Sequence, residues 1–345
     1  MKKIILIKLF LLLVFTANAQ ISVSSSHVGS TKKIDKEDLE RFKKTETIFL
    51  LSNVIDKAVY EDILKKNWTV TPYKIININD FDARNYIDDK YSFVYISGTY
   101  IESFKGNYKT GYVKVGIGSD KIYTYVDIFM FDNEKKAKEL ARLAQKSQKT
   151  QKEYQLFEKH KIAIARFYLE PDDNFIYNLF IGKKTYEELG TSMYEDVNFY
   201  NYLPGFLKNY FQKINNVIAA NEGYWMYGTD FDSEVKKLAS NTLYIPDYFK
   251  LICQPMNRDK VDGPIKLLKD YKYKYEFLKD IDLDKKIQNG EEFYYVRYVR
   301  MNSERFLQIV NSKTGNIVYR EYIAGMMSLG LDSGDIKNIN KAIEK

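Results

Sequence analysis

Two histidines, His27 and His160, and one cysteine, Cys253, are the only such residues in 345, which leaves the usual nucleophile-and-base chemistries few places to reside. A Ser-His-Asp or Cys-His system needs an imidazole within hydrogen-bond reach of its nucleophile and an acid to orient it. His27 lies in a Ser-rich stretch without periodicity and His160 in the charged phrase FEKHKI. Both read as solvated side chains, His160 at a helix end. A histidine-based zinc site needs three or four ligands, more than these residues supply. Cys253, in KLICQPMN at the end of an apolar run, reads as a buried small hydrophobe. A single thiol forms no internal disulfide, so the chain must be held by its hydrophobic core.

The best metal-like spacing is DIDLDKKIQNGE, with Asp280, Asp282, Asp284 and Glu291 at positions 1, 3, 5 and 12 of a calcium loop. Lys285 stands at position 6, where the sharp turn calls for Gly, and its charge opposes a cation. The segment therefore reads as a strand end passing into a capped helical turn. Paired acids such as Asp230 and Asp232 cannot be singled out among 46 acidic residues, because acid-base catalysis needs two carboxyls at a set separation in space. The glycines of GYVKVGIGSDK precede no helical pattern and read as strand punctuation rather than a phosphate cradle. No residue is assigned a catalytic, cofactor-binding or metal role, and no cofactor is expected. In FYYVRYVR, alternation puts Phe293, Tyr295, Arg297 and Val299 on one face and Tyr294, Val296, Tyr298 and Arg300 on the other. The rings and guanidiniums fit either a ligand surface or a strand covered on both sides, and the covered strand is expected.

The opening MKKIILIKLFLLLVFTANAQ has the grammar of an export signal: Lys2 and Lys3, an apolar run from Ile4 to Phe15 broken once by Lys8, then Ala17-Asn18-Ala19. The run falls short of the roughly 20 residues a spanning helix needs. Cleavage before Gln20 predicts a soluble periplasmic or secreted protein, not inserted in the membrane, and the absence of a following cysteine disfavours a lipid anchor. Formal charge is +7; losing Lys2, Lys3 and Lys8 leaves +4, too mild to point to nucleic acid. An aromatic content of 15% admits a sugar-binding surface, although rings by default fill cores.

The elements that must position these residues alternate in type. TIFLLSN reads as a buried strand and DKAVYEDILKKNW as an amphipathic helix capped by Asp56. Pro72 stops the helix, and PYKIINI, YSFVYISGTYIESF and KIYTYVDIFMF read as strands. NEKKAKELARLAQKSQKTQKEYQ reads as a charged helix, IAIARFYLEPDD as a strand closed by a turn, and LPGFLKNYFQKINNVIAANEG as a helix from Pro204 to Gly223 with Phe206, Leu207, Tyr210, Phe211, Ile214 and Val217 on its buried face. GYWMYG and LYIPDYFKLI read as strands around a helix DFDSEVKKLAS capped by Asp232 or Ser233, and GPIKLLKDY as a short helix. EEFYYVRYVRMNSERFLQIVNSKTGNIVYREYI is the clearest strand pattern, a β-meander with Gly315 at positive φ in its turn.

Residues Pro72 to Ile96 echo Lys274 to Tyr298 without a gap: Tyr73 meets Tyr275, Asp80 meets Asp282, Asp82 meets Asp284 and Val94 meets Val296. Such an echo predicts two related modules from a duplication. The phrase VNSKTGNIVY resembles the terminal hairpin of PepSY-type domains, small exported modules that bind or inhibit. The NAQ ending of the signal, LYIP, YVRYV and the last hairpin followed by a short helix resemble uncharacterised exported proteins of the Bacteroidota, which implies a compartment and no activity.

The expected organisation is 1–19 signal peptide, 20–44 flexible leader and short helix, 45–132 N-terminal α/β module, 133–222 helical middle segment, and 223–345 C-terminal α/β module ending in a β-meander. The class is α+β, two related α/β modules with mixed or antiparallel sheets and a helical insert. The function expected is non-enzymatic binding or envelope assembly with a protein or glycan partner. The alternative is a carboxylate-dependent hydrolase acting on carbohydrate in the cleft between modules, and a further possibility is strand addition along the C-terminal hairpin.

Overall fold

The structure, a computed structural model, describes residues 20–27, 33–82, 85–86, 88–101, 121–132, 160–180, 186–252, 268–301, 304–324 and 332–345. Its elements run β1 (Ile21–Val23), α1 (Lys36–Phe42), β2 (Glu46–Leu51), α2 (Lys57–Asn67), β3 (Tyr73–Asn77), β4 (Tyr91–Ile101), β5 (Lys121–Phe131), β6 (Lys161–Leu169), α3 (Asp173–Phe180), α4 (Tyr186–Glu195) and α5 (Pro204–Ala219). The second half holds β7 (Asp230–Phe231), β8 (Leu243–Pro246), α6 (Tyr248–Ile252), β9 (Tyr275–Leu278), α7 (Asp280–Gln288), β10 (Tyr294–Met301), β11 (Glu304–Asn311), β12 (Ile317–Ala324) and α8 (Ser333–Glu344).

Two six-stranded mixed sheets result, ordered β1-β6-β5-β4-β2-β3 and β7-β12-β11-β10-β8-β9. The orders are the same topology written twice. In each, a short strand (β2 or β8) lies parallel between two others, and three long strands follow as an antiparallel meander. Thr47 stands opposite both Tyr73 and Ser92; Leu243 stands opposite both Tyr275 and Tyr294. Both flanking pairs therefore keep the spacing of the sequence echo. A register shift falls between Ile128 and Phe129 in one sheet and between Ile309 and Val310 in the other, the matching place in each meander. The fold is α+β, with two related modules.

Local chemistry explains the pieces. Asp56 accepts from the Ala58 N–H to start α2, which buries Tyr60, Ile63 and Leu64 on one side. Their target is Phe49 of β2, which meets Tyr60, Trp68 and Phe211 edge to face. Helix α5 opens on Pro204 and buries all six residues expected on its inner face, none more than 6% exposed. That is on the order of 10 kcal/mol of apolar burial. On one side Phe167 of β6 stacks on Tyr210; on the other, Phe206 meets Tyr295 of β10. Helix α5 thus lies between the first and second sheets, and a single core runs through both. Gly205 lets it approach α7, because a Cβ there would lie 2.9 Å from both the Asp284 carbonyl and Ile287 Cβ.

Several expectations change. The leader is not free: Ile21–Val23 is a fully buried edge strand on β6. GYWMYG contributes an isolated bridge from Tyr224 to Val23 rather than a strand. DFDSEVKKLAS forms a 3₁₀ helix capped by Asp232, and LYIPDYFKLI divides into β8 and α6. Helix α5 ends before Gly223, and Asn221 takes the positive φ of 56°. The segment from 133 to 222 is not helical throughout, since β6 completes the first sheet. The two-residue β7 pairs with β12 at Tyr319 and Arg320, so the edge of the C-terminal hairpin is partly covered; the first sheet ends at β1 and β3 and the second at β7 and β9. The expected 133–159 helix, the Gly-rich segment 111–120, Cys253 and Pro264 lie outside the described residues. No described helix is long and apolar enough to cross a membrane.

Candidate functional site

Matching the two sheets by register brings a polar row, buried in part, to the same place in each. In the first, Tyr95, Asp127, Arg166 and Ser22 stand side by side across β4, β5, β6 and β1. In the second, Arg297, Gln308, Arg320 and Asp230 do so across β10, β11, β12 and β7. Arg166 and Arg320 occupy equivalent positions.

In the first row Arg166 grips Asp127 with two hydrogen bonds, both 3.1 Å, and lies 3.5 Å over the Tyr125 ring. Lys161 adds a contact to Asp127 at 2.9 Å. These cations hold the Asp127 carboxyl far below the usual carboxylate range despite its burial. His27 Nε2 stands 3.9 Å from Asp127 Oδ1, beyond hydrogen-bond range, and neither ring nitrogen has a hydrogen-bond partner. Burial, then Arg166, push its pKa down to about 3, and Asp127 only partly opposes them. The pair has the composition of a catalytic dyad without the electrostatics of one. An imidazole this reluctant to take a proton is a poor general base near neutral pH. His27 is thus buried rather than solvated; His160 is half-buried at the start of β6.

In the second row Arg297 is fully buried, and its Nε donates to Gln308 Oε1 at 2.8 Å. Its guanidinium lies 4.0 Å over the Tyr210 ring of α5. Arg320 donates from Nε and Nη2 to the two oxygens of Asp230, the latter at 3.0 Å. Both faces of β10 are buried, as its alternation predicts for a covered strand.

The seam between modules is aromatic. Tyr125 and Tyr168 of the first sheet form a cluster with Met226, Val299 and Phe306, and Tyr168 stacks on Phe306. Beside it Glu170, fully buried just after β6, accepts from the Arg300 N–H at 2.5 Å and faces the Arg300 guanidinium at 3.3 Å. Burial raises the Glu170 pKa to about 7, with Arg300 opposing. Asp280 is pushed up to about 6, also by burial, while its carboxylate accepts from the Tyr248 N–H that opens α6. The charges of Glu170 and Asp280 both act on the Tyr248 hydroxyl, and the Tyr248 ring stacks on Tyr200 at 5.3 Å. That hydroxyl donates to the Tyr298 carbonyl and accepts from its N–H, both at 3.2 Å. At the matching place in the first sheet, Tyr194 of α4 does the same for Ile96, at 3.0 and 2.7 Å. Each tyrosine satisfies strand groups left over where the short parallel neighbour stops.

The remaining sequence candidates have structural partners. The stretch from Asp280 forms helix α7, in which Asp284 accepts from the Gly205 N–H and from Gln288. Asp230 binds Arg320, and Asp232 caps its helix through the Glu234 N–H. Among the described residues no group of three or more His, Cys, Asp or Glu is placed to hold a metal ion. Comparison with known proteins finds no matching family model, no similar curated protein and no similar solved structure.

Proposed function

We propose that this chain is an exported, non-catalytic binding or envelope-assembly protein, working in the periplasm or outside the cell on a protein or glycan partner. The observation that carries the reading is the use made of its charged groups. Asp127, Glu170, Asp230 and Asp335 are each spent on an arginine of the scaffold, and His27 is held neutral beside Arg166. The modules share one core through α5 and an aromatic seam, which suits a rigid body offering surfaces. Export is supported by the apolar opening and by β1, which begins at Ile21, just past the expected cleavage point. The resemblance to exported Bacteroidota proteins and PepSY-type hairpins belongs to the same reading.

One observation favours the alternative hydrolase: Glu170 and Asp280, the acids with pKa values raised to about 7 and 6, each adjoin one of the stacked tyrosines, the Glu170 carbonyl accepting from the Tyr200 N–H and the Asp280 carboxylate from the Tyr248 N–H. Against it, Glu170 is fully buried and held by Arg300. The test is to express the full chain with its leader, determine the mature N-terminus by mass spectrometry in each cell fraction, and screen the purified protein by thermal shift against glycans and peptides. A Gln20 N-terminus outside the cytoplasm and a saturable shift uphold the proposal; an uncleaved cytoplasmic chain overturns the export part of it.

A further inference from the structure

The two polar rows share an arginine, Arg166 or Arg320, and differ at the other three positions. In the first sheet the position between Tyr95 and Arg166 is Asp127, a carboxylate that neutralises its neighbour. The matching position in the second sheet is Gln308, which brings no charge, while Tyr95 is replaced by Arg297. Asp230 pairs with Arg320 and also acts on Lys213. Among the described residues Arg297 forms no ion pair: its guanidinium meets the Gln308 oxygen, the Tyr210 face and the Tyr295 hydroxyl. Arginine does not give up its proton, so its charge remains in a low-dielectric interior.

Unused donors lie on adjacent strands. Arg297 Nη1, Gln308 Nε2 and Arg320 Nη1 are all buried without a hydrogen-bond partner among the described residues, although the Tyr224 hydroxyl lies beside the Arg320 guanidinium, and their residues are 0%, 0% and 5% exposed. They belong to consecutive partners across β10, β11 and β12, on one face of the sheet. Each is an N–H donor, so none can satisfy another. Lys213 of α5 lies nearby, its pKa lowered by burial and then by Arg320 with Asp232, Asp230 and Glu222 opposing, and it sits 4.7 Å over the Tyr224 ring on which Arg320 also stacks. Tyrosine faces and amide donors surrounding surplus guanidinium charge form the chemistry of an anion site.

We propose that the Arg297, Gln308 and Arg320 row, closed over by α5 and Tyr224, binds a small monovalent anion, either a halide or a carboxylate group. The anion would sit beside Arg297 at the row position that the Asp127 carboxylate holds beside Arg166 in the first module. The inference goes beyond the binding role above and does not depend on it.

The test is thermal unfolding of the purified protein titrated with chloride, acetate or phosphate at constant ionic strength, with HEPES salt as the filler. A rise of about 2–4 °C is expected as the anion passes from ten to a hundred times its Kd, continuing with the logarithm of anion concentration. Chloride alone would mark an ion site; acetate would mark a ligand carboxylate. Gln308→Glu builds the missing charge into the row, so it should melt above the wild type without added anion and lose the anion-dependent rise. Arg297→Met should lose that rise too. A wild type indifferent to chloride and acetate, or a Gln308→Glu protein that keeps the wild-type response, overturns the proposal.

Discussion

Replacing Glu170 by Gln should change how stability depends on pH in a defined window. The folded carboxyl titrates at about 7, and the ordinary value is 4.5. Between these values the native protein holds a proton that the unfolded chain has released, so stability from this group is complete below pH 4.5 and is lost as pH rises through 7. The gap between 4.5 and about 7 corresponds to about 3 kcal/mol. His27 acts oppositely: its folded value of about 3 lies below the ordinary 6.5, so the unfolded chain takes up the proton first and acid destabilises. The wild-type curve alone mixes both, whereas the difference between wild type and Glu170→Gln isolates Glu170, because His27 is common to both. Urea unfolding at half-unit steps from pH 4.5 to 8 measures it. That difference should move by about 3 kcal/mol in favour of the Gln variant across the window. Parallel curves would mean that Arg300 keeps Glu170 ionised throughout, and burial would not be the dominant influence at the seam.

Other substitutions test the packing and the polar rows. Gly205→Ala should destabilise by about 1–3 kcal/mol in urea melts, since the new Cβ meets backbone and Ile287 where α5 crosses α7. His27→Phe should be neutral or stabilising at pH 7, because it removes a buried ring with two unmet nitrogens, and it should flatten the acid side of the stability curve below pH 6.5. In the wild type, the His27 proton resonances should not titrate between pH 5 and 8. Tyr194→Phe and Tyr248→Phe should each cost about 1–3 kcal/mol by leaving a strand N–H and C=O unpaired, and their effects should add, as the two lie in different modules.

What the sequence disclosed was local. The Asp56 cap, the Pro204 helix and the Gly315 hairpin each depend on a few neighbouring residues, and all three formed. The echo at Tyr73 and Tyr275 was legible because the intervening lengths are identical, so strand register preserved it. The leader was misread because Ile21–Val23 is too short to show alternation and is buried only through β6. His27 looked solvated for the same reason. The buried rows were invisible because a polar residue in a strand ordinarily faces water. Asp127 and Arg166 are 39 residues apart and meet only once β5 and β6 are in register. The pair of matching arginines, Arg166 and Arg320, was the one trace, and it becomes readable only after the meanders are aligned.

The most direct measurement of a binding role is incubation of the purified Gln20–Lys345 chain with envelope glycans, read in parallel as thermal shift and as released product by mass spectrometry, beside Glu170→Gln and Asp280→Asn. A binding protein gives a saturable shift with the glycan left intact. Product released by the wild type and lost in both variants would contradict that role and make the acids beside Tyr200 and Tyr248 a hydrolytic pair.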